Sequence, residues 1–216
     1  MKSPSPRLLA APLIIAILSA CASARTPAVS SQPSAPAQPA AAPREPTASQ
    51  ADIHFMTGMI PHHAQAVIMA QWAPTHGARE DVRILAERIV VAQRDEIQLV
   101  RSWLRDVGAP VPPSDAKHVT MTMNGMTHDM VMPGMLTEEE MAKLDRARGS
   151  DFDRLFLTYM IRHHEGAITM VDQLFASYAG GLDETVFRFA SDVYADQTTE
   201  IDRMQKMLET VPPGAS

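Results

Sequence analysis

The chain has a single cysteine among its 216 residues, Cys21, so no intrachain disulfide can form and stability must come from a core or a ligand. Downstream of it the sequence offers no serine-centred elbow, no phosphate-cradling glycine-rich loop and no nucleophilic thiol, so the expectation is a binding protein and not an enzyme. No glutamate has a histidine three residues later, which removes the carboxylate-bridged di-iron pattern of four-helix bundles. His-Glu-x-x-His is missing too, and with it the zinc protease pattern. Basic side chains are in the minority, 19 against 25 acidic ones, which argues against nucleic acid as a partner. Past the first fifty residues there is no alternating run of β-branched residues, so strands are not expected.

What is present begins with a secretory signature. Lys2 and Arg7 precede a mostly apolar run from Leu8 to Leu18, too short and too early for a structural membrane helix. The run ends in Leu18-Ser19-Ala20-Cys21, which resembles the lipobox of bacterial lipoproteins and makes Cys21 the expected lipidation site; cleavage after Ala22-Ser23-Ala24 is the alternative. Such an anchor holds a protein at a membrane surface without spanning it. Removing Lys2 and Arg7 with the signal leaves 17 basic against 25 acidic side chains, about −8. Residues 22–49 are almost wholly Ala, Pro, Ser, Thr and Gln, the composition of a disordered, partly extended tether. A folded domain is expected over 50–212, and a chain of 216 residues with 45% apolar content is long enough to bury its core.

Within that domain a twelve-residue stretch occurs twice, MIPHHAQAVIMA at Met59–Ala70 and MIRHHEGAITMV at Met160–Val171, at an offset of 101 residues that also pairs Asp52 with Asp153 and Phe55 with Phe156. After a three-residue change of offset, Gln93, Glu96, Ile97 and Leu104 pair with Gln197, Glu200, Ile201 and Leu208. The repeating unit is therefore a helical hairpin. Apolar spacing predicts helices over about 52–72, 80–107, 137–148, 150–178 and 183–208, with Pro61 expected to bend the first. Two such hairpins joined by a long connection define an all-α four-helix bundle.

Met59 and His63 lie four residues apart on a helix, as do Met160 and His164, so each pair shares a face; His62 and His163 are turned about 100° toward its edge. Four imidazoles and several thioethers brought together by two facing helices outline a metal site. Imidazole suits copper, zinc, iron and nickel, while thioether sulfur favours Cu(I), so the mixture points to copper. The competing reading is a hydrogen-bonded core histidine network with methionine as core filler. The connection adds a second signal, with His118, Met121, Met123, Met126, His128, Met130, Met132 and Met135 forming a candidate secondary soft-metal segment, or else an apolar lid.

The stretches MIPHHAQAVIMA and FLTYMIRHHEGAITM, with a later Gln-x-x-Glu-Ile in each hairpin, resemble the bacterial domain-of-unknown-function family 305 over about residues 50–210. That resemblance implies a ferritin-like bundle, secreted or lipid-anchored, and similarity to a periplasmic copper-binding protein of copper resistance. It places Met59, His62, His63, Met160, His163 and His164 at motif positions. The expected function is copper sequestration or handling in the cell envelope, with copper as Cu(I) or Cu(II), and the expected partners are a metal ion, a membrane through the lipid and a copper-delivery protein. A metal-free interaction module and a redox metalloenzyme are the rivals.

Overall fold

The computed structural model describes residues 48–117, 120–123, 126–129 and 132–212. Cys21, the signal segment and nearly all of the tether lie outside these residues, as do His118 and Met130. Helix α1 spans Gln50–Gln71, α2 Glu80–Asp106, α3 Glu138–Arg146, α4 Gly149–Ala176 and α5 Glu184–Glu209; strands β1, Thr120–Met123, and β2, Met126–Asp129, stand between α2 and α3. Among the described residues no helix is long and apolar enough to cross a membrane.

The position of each helix follows from its charge. Asp52 is the only acidic residue of α1, which has no lysine or arginine, so the helix is apolar nearly all round and is buried along most of its length. By contrast α2 and α5 carry Arg, Asp, Glu and Lys on one face and are buried on the other. Accordingly α1 packs closely on α2, α4 on α5, and α1 on α4. Pro61 sits inside α1 without ending it, at the cost of the hydrogen bond to the Thr57 carbonyl. In the second copy the matching residue is Arg162, whose guanidinium grips both oxygens of Glu140 at 2.7 and 2.6 Å and ties α3 to α4.

The paired aspartates hold the two hairpins together from opposite ends. At the start of α1, Asp52 caps the helix with Ser49 and also accepts from Gly181 N–H at 2.6 Å, in the α4–α5 loop. At the start of α4, Asp153 accepts from Arg79 N–H at 3.2 Å, in the α1–α2 loop. Each hairpin thus uses the carboxylate of its first helix to satisfy a backbone donor in the other hairpin's turn.

Apolar side chains divide into two clusters. One gathers Phe55, Met59, Ile97, Trp103, Leu174 and Phe189; the other gathers Met69, Leu85, Phe152, Phe156, Met160 and Met204. Every long helix contributes to both, and crosses from one to the other through a polar pair: His62 and His63 on α1, Gln93 and Glu96 on α2, His163 and His164 on α4, Gln197 and Glu200 on α5. A polar layer therefore cuts the bundle core in two.

The connection departs from the all-α expectation. Its strands pair antiparallel with Met121 opposite His128 and Met123 opposite Met126. Threonine at alternate positions of β1, 120 and 122, and again at 127 in β2 supplies the β-branched residues that favour an extended chain.

Candidate metal centre

All four motif histidines are fully buried. His62 and His163, from α1 and α4, stand closest, with ring centroids 3.9 Å apart. His63 and His164 turn outward to the flanking helices: His164 Nε2 lies 2.7 Å from Glu200 Oε2, and His63 Nε2 lies 2.9 Å from Glu96 Oε2. The pair that meets is thus His62 with His163, the two that helical spacing turned toward the edge of the face, and not His63 with His164, which share that face with Met59 and Met160. The reason lies in how α1 packs on α4, which spacing along one helix does not contain.

Hydrogen bonding fixes the protons. The Pro133 carbonyl can only accept, so His62, 3.0 Å away, donates from Nε2 and carries a bare lone pair on Nδ1. Glu200 imposes the same tautomer on His164. The His63–Glu96 contact has ion-pair distance without the alignment of a hydrogen bond, so His63 Nε2 stays without a hydrogen-bond partner. The His62 carbonyl lies near the His163 ring, yet neither His163 nitrogen makes a well-formed hydrogen bond. The Nδ1 atoms of all four rings are therefore buried and unpaired, as are the side-chain oxygens of Gln93 and Gln197. Each such group costs roughly 1–3 kcal/mol when nothing meets it.

Burial, and then the neighbouring His63 ring, lower His62 to about 3. Burial and the other three imidazoles push His163 well below the ordinary histidine value. Both are neutral at physiological pH. Among the described residues no three His, Cys, Asp or Glu side chains are gathered closely enough to hold a metal ion as they stand.

The end of the connection closes one edge of this layer. Pro133 is bonded to His62, and Gln65 pairs with the Leu136 backbone through both amide atoms, Nε2 to the carbonyl at 3.0 Å and Oε1 from the N–H at 2.7 Å. Gly134, with φ +76°, lies directly on Gly166 of α4. A Cβ on Gly166 would come within 2.1 Å of the Pro133 carbonyl oxygen. Gln65 and Gly166 occupy the same position in the two repeats, so the repeat breaks its symmetry where one copy grips this strap and the other makes room for it. Gly166→Ala is expected to lift the strap and cost about 2–4 kcal/mol; chemical denaturation measures the loss, and hydrogen exchange at 132–136 reports whether the strap has opened.

The other predicted residues are placed as follows. Met59 and Met160 are fully buried, one in each apolar cluster on either side of the layer. Of the candidate secondary segment, Met132 is buried in the first cluster and Met135 is partly buried against it. Met121, Met123, Met126 and His128 belong to the hairpin strands. Glu96 and Glu200 were absent from the predicted site, although the repeated Gln-x-x-Glu-Ile was the signal that pointed to them.

Fold and site together define a helical bundle built of two hairpins around a buried histidine layer. The chain belongs to the family described as "Domain of unknown function (DUF305)", which matches residues 52–208. It is similar to the structure of a DUF305 protein described as secreted from Streptomyces coelicolor, at 30% identity and a TM-score of 0.62 over 77% of this chain and 98% of that one. It is also similar to CopM in the Cu(II)-bound form, at 25% identity and a TM-score of 0.57 over 73% of this chain and 95% of that one. A 53-residue stretch is 34% identical to protein L153 of Acanthamoeba polyphaga mimivirus, and covers 24% of this chain and 35% of that protein.

Proposed function

We propose that the histidine layer binds copper, and that the chain sequesters or hands on this ion outside the cytoplasm. The observation that carries the reading is the set of four buried, unpaired imidazole Nδ1 atoms, with His62 and His163 held neutral by burial and His62 and His164 fixed as donors from Nε2. A ligating histidine characteristically gives its other ring N–H to a carboxylate or a backbone carbonyl, and that is what Glu200 and Pro133 receive here. Buried imidazoles with buried thioethers on either side suit a soft or borderline cation. Binding draws the rings inward around the ion, with His62, His63, His163 and His164 as ligands and Met59 and Met160 as soft partners.

Similarity to CopM, solved with Cu(II), supports the choice of metal, and similarity to a protein described as secreted supports the location. On this reading the two hairpins are one duplicated, ferritin-like unit, Cys21 carries a lipid, and the role is binding and not catalysis. Titration with Cu(I) against a competing chelator tests it. The wild-type chain is expected to take up copper and to melt at a higher temperature when loaded, since a ligand that binds only the folded state must raise the midpoint. Replacement of all four histidines by alanine is expected to abolish both effects; uptake unchanged by that replacement would sink the proposal.

A further inference from the structure

The two edges of the histidine layer are built differently. On one, the strap Met132–Leu136 closes over His62 through Pro133 and Gln65. Beyond that strap lies a cavity of about 570 Å³ lined by Gln65, Trp72, Met132, Met135 and Met141. On the other edge, Glu96 of α2 and Glu200 of α5 run from the buried His63 and His164 rings to the surface, their side chains 23% and 26% exposed.

One turn before Glu200 on α5 stands the exposed Asp196, and one turn before that Asp192. Burial of the Asp196 carboxyl, then the charges of Glu96, Asp192 and Glu200, raise its pKa. Glu96 on α2 and Asp192, Asp196 and Glu200 on α5 thus form an acidic seam, near enough for the charges of the other three to act on Asp196. Behind them His63 Nε2 lies 2.9 Å from Glu96 Oε2 without the alignment of a hydrogen bond, and the buried Gln93 and Gln197 side-chain oxygens in the same layer are unpaired.

We propose that this acidic seam is the port through which the metal cation reaches the histidine layer, with Asp196 as the first contact and Glu96 and Glu200 passing the ion to His63 and His164. The inference rests on the copper reading and adds the route. A cleft lined by one sign of charge raises the local concentration of the opposite ion and its on-rate, and the gain falls with salt. The soft methionine cavity is the competing route, but the bonded strap stands between it and the histidines.

Stopped-flow transfer of Cu(I) from a chromophoric chelator to the full chain separates the two. Asp196→Asn, at an exposed position, is expected to slow uptake about three- to tenfold at low salt and to flatten its salt dependence, with the amount bound at equilibrium unchanged. Glu96→Gln with Glu200→Gln is expected to slow it further. Met132→Leu, Met135→Leu and Met141→Leu together are expected to leave the rate at the wild-type level. A second measurement is independent of copper: Mn(II), which carboxylates hold weakly, is expected to broaden the amide signals of 93–97 and 196–200 first, and to lose that preference in Asp196→Asn. Uptake at the wild-type rate in all the carboxylate variants, or slowed only in the methionine variant, overturns the route. No uptake by the wild-type chain overturns the copper reading, and the route with it.

Discussion

Replacing His62 and His163 together by leucine is expected to raise the melting temperature of the copper-free protein and to remove its response to copper. The two rings meet at 3.9 Å in a fully buried layer between apolar clusters, and three of their four nitrogens have no hydrogen-bond partner. Leucine is close in volume to histidine, so the exchange removes unmet polar atoms without opening a cavity. Exchanges of buried polar networks for packed apolar side chains are often neutral or stabilising. Here the gain should be about 2 kcal/mol, from which the lost His62–Pro133 bond has already been subtracted. In a domain of this size that is on the order of 5 °C. Differential scanning calorimetry with and without copper reads both parts. A lower midpoint in the copper-free variant would mean that the histidines are structural and that some partner satisfies them. A higher midpoint with no copper response would show stability given up for a ligand, the usual relation between a fold and its site.

The contrast between those histidines and their surroundings also shows what the sequence could and could not reveal. Helix positions were legible because apolar periodicity and the stop signals at Pro74, Gly77, Gly108 and Gly180 are local. The His-His pairs stood out because the repeated stretch carries them at matched positions twice. Which histidine meets which was hidden, since it depends on how α1 crosses α4, and so was the role of Glu96 and Glu200, which lie on different helices from the rings they touch. Read along the chain, Gln-x-x-Glu is only a repeat mark. Folded, it supplies the flanking half of the polar layer. The hairpin β1–β2 was missed for another reason: methionine content drew the reading toward metal capture, while the Thr-Met alternation and the Asn124-Gly125 pair between the runs were the ordinary sequence marks of a β-hairpin. Gly166 was equally silent, because the need for a missing Cβ arises only where Pro133 lies on α4.

Acid should unfold the copper-free protein sooner than its acidic composition suggests. In the unfolded chain His62 titrates near its ordinary value of 6.5, whereas in the folded chain burial and the adjacent His63 hold it at about 3. Between these values the unfolded state binds the extra proton, so stability is complete above pH 6.5 and falls as the pH drops toward 3. At pH 5 this one residue removes about 2 kcal/mol, at 1.36 kcal/mol per pH unit. His163, shifted in the same direction by burial and three neighbouring imidazoles, steepens the fall. Asp153 and Asp196 act in the opposite sense, since burial raises each carboxyl and the folded state then holds a proton more tightly than the unfolded one. Both shifts start from 3.8, below the histidine value of 6.5, so the decline just below pH 6.5 keeps the sign of the histidines. Urea midpoints measured from pH 8 to pH 4 should therefore be level down to about 6.5 and decline below it. A midpoint flat through pH 5 would mean that the rings take up protons in the folded state, by water entering the layer or by reorientation toward Glu96 and Glu200. With copper bound the decline should begin at lower pH, because the ion occupies the lone pairs that the protons seek and must be displaced before the rings can charge.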